Sequence, residues 1–282
     1  NCVVVKPSEH TPSTSNILSE MMSSIFNENE VSVVQGDSSV GRYLISLNFD
    51  HIFFTGSPEI GKVVMGEAAK NLTSVTLELG GKNHTVVDLN ANIKSSAEKI
   101  IWSKYVNCGQ TCIAVNHVFV HSAIYDDFIT ALKNTIDKFF KNNSDYASVV
   151  NEKHFSRLQV LKDQCLDNGG ELYYQSPKSS QNNSFPLTLI QLKSWSNPIL
   201  NSEVFGPILP IVKYTDLDDV IDFINSKEKA LALYLFTKSK SKISHFIKST
   251  SSGTVAINEC MLQYSNPYLL FGGVNNSGIG KV

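Results

Sequence analysis

Apolar residues along the chain follow two alternating periods. Short β-branched or aliphatic runs at residues 3–5, 31–34, 51–54 and 75–79 have the length and composition of strands. Between them, residues 15–26 carry Ile17, Leu18, Met21, Met22 and Ile25 at helical spacing, and a second helix is predicted from Pro58 to Ala69. Pro58 suits a first helical turn, where its missing N–H would have had no partner. After Gly80-Gly81 the alternation resumes. Strands are predicted at 84–87, 118–120, 208–212, 230–236 and 254–257, and helices at 93–106, 123–140, 152–167, 217–225 and 240–248. Strands separated by helices of about 10 to 15 residues predict parallel βαβ units, so the fold class is α/β. Residues 176–184, rich in Ser, Asn and Gln, read as a surface loop. Gly80-Gly81 reads as a hinge between two α/β halves.

Composition narrows the function classes. The 282 residues are 42% hydrophobic and 18% charged, with a formal net charge of -2, which excludes a disordered chain. No basic patch points to nucleic acid or an anionic membrane. The longest apolar runs, such as 230–236, fall far short of the roughly 20 residues that cross a bilayer. The 5 cysteines (Cys2, Cys108, Cys112, Cys165, Cys260) are odd in number and unevenly spread, which suits a reducing, cytoplasmic compartment better than a disulfide framework. Cys108 and Cys112 have no second Cys or His pair at zinc spacing, so no metal site is expected. The chain opens at Asn1, directly into a strand-like run, and a segment is expected to precede it.

Four segments offer chemistry. Gly56-Ser57-Pro58-Glu59-Ile60-Gly61 follows a strand and opens a helix, where backbone N–H groups and the helix dipole can face a phosphate. Its spacing is neither G-x-G-x-x-G nor a P-loop, and alone it reads first as a plain turn. Glu78 ends a buried strand; if it lines a cleft, desolvation raises its pKa towards that of a general base, and otherwise it pairs with Lys82. Cys112, in Asn107-Cys108-Gly109-Gln110-Thr111-Cys112, lies in a small polar turn where a thiol is either activated or simply packed. Cys108, four residues earlier, is a candidate redox partner by spacing alone. Glu203-Val204-Phe205-Gly206-Pro207 joins an acid that can bind ribose hydroxyls to an aromatic that can border a flat ring, though a bland loop has the same residue types.

Together and in order, these segments resemble the aldehyde dehydrogenase superfamily. The landmarks are Lys6-Pro7-Ser8-Glu9, Phe54-Thr55-Gly56-Ser57, Glu78-Leu79-Gly80-Gly81-Lys82, Gly109-Gln110-Thr111-Cys112, Glu203-Val204-Phe205-Gly206-Pro207 and Phe271-Gly272-Gly273 through Ser277-Gly278, spanning essentially the whole chain. The 107–112 segment and residues 208–212 and 231–234 look most like the class 3 or fatty aldehyde branch. The resemblance implies oxidation of a medium- or long-chain aliphatic or aromatic aldehyde with NAD or NADP. Cys112 would be the nucleophile and Glu78 the base that activates water against the thioester. Lys6 and Glu9 would hold the adenine-side ribose, and Gly56, Ser57 and Gly61 the pyrophosphate. Glu203 would grip the nicotinamide ribose, with Phe205 beside the ring.

The same resemblance implies a Rossmann-type cofactor domain over residues 1–80, incomplete at its N-terminal side. A catalytic α/β domain would cover 81–273, and 274–282 would begin a C-terminal return segment. It implies a homodimer, and in some fatty aldehyde enzymes an endoplasmic reticulum anchor in a tail that would follow Val282. The family's oxyanion-hole asparagine would precede Lys6, and residues 260–270, which help form the family's aldehyde tunnel, are unlike its usual sequence. Three alternatives remain at this level: an acyl-phosphate or acyl-CoA reductase of the same superfamily, an esterase using Cys112 alone, and a non-catalytic nucleotide-binding or structural fragment.

Overall fold

A computed structural model describes residues 1–141, 146–177 and 182–282. The chain forms two compact units, residues 1–52 with 62–75, and residues 53–61 with 76–282.

In the first unit, β1 (Val3–Val5) pairs in parallel with β2 (Val31–Val33), and α1 (Pro12–Ile25) connects them. This is the βαβ connection expected from the alternation. Helix α1 starts earlier than its apolar spacing suggests, because Pro12 opens its first turn and Ser15 Oγ donates to the Thr11 carbonyl at 2.9 Å. A helix that the apolar pattern did not predict, α2 (Ser38–Ile45), is capped by Asp37, whose carboxylate accepts from the Ser39 amide at 2.8 Å.

Strand β3 (His51–Gly56) runs through a tight turn into α3 (Pro58–Lys70), and β4 (Ser74–Leu79) follows. A short final strand, β12 (Gly278–Ile279), pairs antiparallel with β4 and sets Gly278 opposite Glu78.

Among the described residues of the second unit, seven strands form a sheet: β5 (His84–Val87), β6 (His117–His121), β7 (Gly170–Gln175), β8 (Thr188–Leu192), β9 (Ile208–Tyr214), β10 (Ala232–Phe236) and β11 (Thr254–Ile257), in the order β11-β10-β5-β6-β9-β8-β7. Every pair is parallel except β7–β8. Because side chains alternate across a strand, two cores form. Val118, Val120, Ile211 and Tyr234 face α4 (Ile93–Tyr105) and α5 (Tyr125–Phe139). Phe119, Val212, Leu233 and Leu235 join Leu158 of α6 (Glu152–Asp167), Val220 of α7 (Leu217–Asn225) and Phe246 of α8 (Lys240–Ser249). The α/β class read from the pattern holds.

Two local expectations need correction. The antiparallel pair β7–β8 was not foreseen, since Glu171, Tyr173 and Gln175 interrupt any apolar run on this edge strand. Of the expected surface loop at 176–184, residues 178–181 lie outside the described residues; Pro177 and Asn182 are exposed as expected, while Ser176 and Ser184 at its ends are buried. Ser176 is polar but satisfied internally: its amide donates to the Leu187 carbonyl at 2.9 Å, and its Oγ accepts from the Leu187 amide at 3.0 Å.

Candidate active site

Cys112 is delivered by an unusual turn. After α4 the backbone adopts left-handed conformations at Asn107, Cys108 and Gly109 (φ +52°, +57° and +71°). At Gly109 a Cβ would lie 2.5 Å from the Gly206 carbonyl oxygen and 2.8 Å from that of Lys104, so only glycine fits. The turn is braced by Gln110, whose Nε2 donates to the Asn107 and Ser148 carbonyls at 3.2 and 3.1 Å, while its Oε1 accepts from the Val150 amide at 2.9 Å.

The Cys112 thiol that results is partly exposed. Burial raises its pKa, and the nearby charge of Glu78 adds to the rise; the backbone amides of Cys112 and Ile113 act in the opposite direction. Cys108 is fully buried and burial pushes its thiol up to about 11, which works against the thiolate that the redox partnership suggested by spacing would use.

Glu78 ends β4 with its side chain buried, and neither carboxylate oxygen has a hydrogen-bond partner. Burial pushes its pKa above the ordinary carboxylate range, which is the direction a base working near neutrality needs. The sequence alternative, pairing with Lys82, is not realised: Lys82 Nζ pairs with Glu228 at 3.0 Å.

Glu203 approaches the same place from another part of the chain. Burial raises its pKa against the pull of the Gly81 amide, Arg157 and Lys82, and its charge in turn acts on Cys112. Phe205, two residues on, is partly exposed and sits in a left-handed conformation (φ +40°). Cys112, Glu78 and Glu203 therefore share one electrostatic neighbourhood.

The Gly56–Gly61 turn opens α3. Ser57 Oγ accepts from the Ile60 amide at 3.4 Å. Gly61 packs the helix against Leu79, whose Cδ2 would lie 2.7 Å from any Cβ there, so the first turn of α3 borders the residue that follows Glu78. Backbone donors at a helix N-terminus are the groups that suit a pyrophosphate.

Lys6 and Glu9 belong to the first unit. Lys6 Nζ pairs with Glu9 at 3.1 Å and also donates to the Pro7 carbonyl at 3.0 Å. The Glu9 amide and Lys6 hold the Glu9 carboxyl below its usual range.

Two residues near the site carried no signal in the sequence. Arg157, on α6, donates to the carbonyls of Glu203, Val204 and Phe205 at 3.4, 2.8 and 3.2 Å. Lys104 closes α4 with its side chain buried. Each is one polar residue in an ordinary helical pattern, and only its burial marks it out. Among the described residues, no group of three or more His, Cys, Asp or Glu could hold a metal ion.

The aldehyde dehydrogenase family model matches residues 1–282. The chain is 38% identical over 285 residues to mouse aldehyde dehydrogenase family 3 member B2, covering 100% of this chain and 58% of that protein. It is 37% identical over 284 residues to the rat aldehyde dehydrogenase described as dimeric and NADP-preferring, covering 99% of this chain and 62% of the relative. The solved substrate-bound state of Staphylococcus aureus AldH superposes with a TM-score of 0.95 at 38% identity, covering 100% of this chain and 62% of that one. The chain thus spans about three fifths of the length of these relatives.

Proposed function

Because this chain belongs to the aldehyde dehydrogenase family, we propose that it carries the working residues of an NAD(P)-dependent oxidation of an aldehyde to a carboxylic acid. The observation that carries the reading is the coupling of Cys112 to Glu78, a partly exposed thiol beside a buried carboxylate without a hydrogen-bond partner.

In the reaction the Cys112 thiolate attacks the aldehyde carbon and forms a thiohemiacetal. The backbone amides of Cys112 and Ile113 favour its charged form, which offsets part of the cost of ionising a thiol in a half-buried site. A nicotinamide held by Glu203 and Phe205 would supply the oxidant, a hydride acceptor for the thiohemiacetal carbon, so that the adduct on Cys112 would become a thioester. Glu78 then draws a proton from water, and the hydroxyl adds to the thioester carbonyl to release the acid and free Cys112. A carboxylate whose pKa is raised by burial can take that proton near neutrality. A buried base beside the nucleophile favours hydrolysis over the acyl-CoA or acyl-phosphate alternative, which needs no base.

The residues present fit the cofactor by the chemistry of their donors. The first turn of α3, with Gly56, Ser57 and Gly61, would take the pyrophosphate; Glu203 would take the nicotinamide ribose, with Phe205 beside the ring. Lys6 and Glu9 would take the adenine-side ribose. On this reading residues 1–80 serve the cofactor, 81–273 serve catalysis, and 274–282 begin a return segment, consistent with the pairing of β12 to β4. The rat relative named as dimeric supports a homodimer, and the proposed substrate is a medium- or long-chain aliphatic or aromatic aldehyde. Five free cysteines support a cytoplasmic setting. Among the described residues no helix is long and apolar enough to cross a membrane.

The test is aldehyde-driven reduction of NAD or NADP, followed by absorbance. Cys112→Ser is expected to abolish it, and Glu78→Gln to slow turnover by about a hundred- to ten-thousandfold, as for loss of a general base. Turnover that survives Cys112→Ser contradicts the proposal.

A further inference from the structure

The carbonyls of three consecutive residues, Cys112, Ile113 and Ala114, are each held by a buried side chain from another segment. Asn83 Nδ2 donates to the Cys112 carbonyl at 2.8 Å and to the Ala114 carbonyl at 2.9 Å. Tyr234 Oη donates to the Ile113 carbonyl at 2.6 Å. Asn83 is itself pinned, because the Ala232 amide donates to its Oδ1 at 2.8 Å. A Cβ on Gly81 would lie 2.6 Å from that same Oδ1, so the glycine keeps room for the amide. Tyr234 is braced by Gln263, whose Nε2 donates to its hydroxyl at 3.3 Å. Both Asn83 and Tyr234 are buried.

A peptide unit is planar and trans, so its C=O and N–H point in opposite directions. Fixing the Cys112 carbonyl therefore fixes the Ile113 N–H, the other end of the same peptide. That N–H favours the charged form of the Cys112 thiol, as does the Cys112 N–H. The Tyr234 bond fixes the next peptide in the same way, and the Ala114 N–H donates to the Thr111 carbonyl at 3.0 Å, closing the turn.

We propose that Asn83, seconded by Tyr234, is the positioning residue of the nucleophile: holding the Cys112 carbonyl aims the Ile113 amide at the Cys112 sulfur and so favours its thiolate. The inference rests on the dehydrogenase reading only in taking Cys112 as the nucleophile. Neither residue need touch substrate or cofactor. Burial and the Glu78 charge both resist ionisation of this thiol, so an amide aimed at the sulfur has a measurable effect there.

The test follows alkylation of Cys112 by iodoacetamide against pH, with the modified cysteine located by peptide mass spectrometry and no cofactor or aldehyde present. Asn83→Leu keeps similar bulk and removes both donors; Tyr234→Phe removes one hydroxyl. In Asn83→Leu the midpoint of the profile should move up, with labelling near neutral pH slowed by about tenfold, the effect of losing a hydrogen bond to a charged group. Tyr234→Phe should move it in the same direction by less. A residue that only stabilised the fold would lower the melting temperature and leave the midpoint alone. Unmoved midpoints in the folded variants overturn the proposal, and should Asn83→Leu fail to fold, Tyr234→Phe decides alone. Failure of the dehydrogenase reading is separate: a chain that reduces no NAD(P) but shows the variant-dependent midpoint keeps this inference and loses that reading.

Discussion

The Gly81 amide donates to Glu203 Oε1 at 3.0 Å, joining two residues 122 positions apart in the chain. The carboxylate lies over Gly80, in the space where a side chain at that position would have to go. Glu203 is thereby held against the peptide that follows the Glu78 strand, where its charge acts on the Cys112 thiol. The Gly80-Gly81 pair also seats a carboxylate.

That relationship predicts the outcome of Gly80→Ala. The new methyl lands on the end of a flexible side chain, so the fold should accept it at a cost of about 1 kcal/mol, one ordinary hydrogen bond. The Glu203 carboxylate should move. Cofactor affinity is expected to fall by about tenfold, the equivalent of one charge-assisted hydrogen bond, while the melting temperature shifts by only a few degrees. A cofactor titration beside a thermal melt checks both, and unchanged affinity would count against Glu203 as a cofactor ligand.

Arg157 satisfies three successive carbonyls of the loop that carries Glu203 and Phe205. Arg157→Ala is expected to cost about 2 kcal/mol, because half-buried carbonyls lose charged donors. For a chain of this size that is a drop of roughly 4 to 8 °C in melting temperature. Arg157→Lys should recover little, since one ammonium cannot reproduce the fork of the guanidinium. Full recovery by lysine in a thermal melt would show that charge alone matters.

Burial pushes the Lys104 ammonium down to about 7 from its ordinary 10.5, against the Glu203 carboxylate, which pulls it up. Between those two values the unfolded chain holds a proton that the folded chain lacks, so stability rises with pH across that window and the penalty is full below about 7. Lys104→Met, similar in volume and uncharged, should therefore raise the melting temperature near pH 6 and gain progressively less towards pH 10. Equal gains at the two ends would mean that Lys104 is not titrating in this window.

Much of this was legible in the sequence. Parallel strands alternating with helices follow from apolar periods, since a strand buried on both faces reads as a continuous run, as at Ala232–Phe236. The turn before Cys112 was visible in Asn107 and Gly109, which suit left-handed backbone. Strand β7 was not, because Tyr173 and Gln175 lie on a half-covered edge where polar and aromatic residues are equally at home. Nor were Asn83, Arg157 and Tyr234. Each is defined by a partner far away in sequence, and a hydrogen bond to a backbone carbonyl leaves no mark on the sequence of the segment that accepts it.

In the proposed reaction Cys112 forms a thioester which Glu78 helps to hydrolyse. The direct measurement is the mass of the Cys112 peptide after Glu78→Gln protein is mixed with aldehyde and NAD(P) and quenched. An acyl group is expected on Cys112, accumulating in Glu78→Gln and scarce in the unmodified sequence. No acyl adduct, or one on another cysteine, would contradict it.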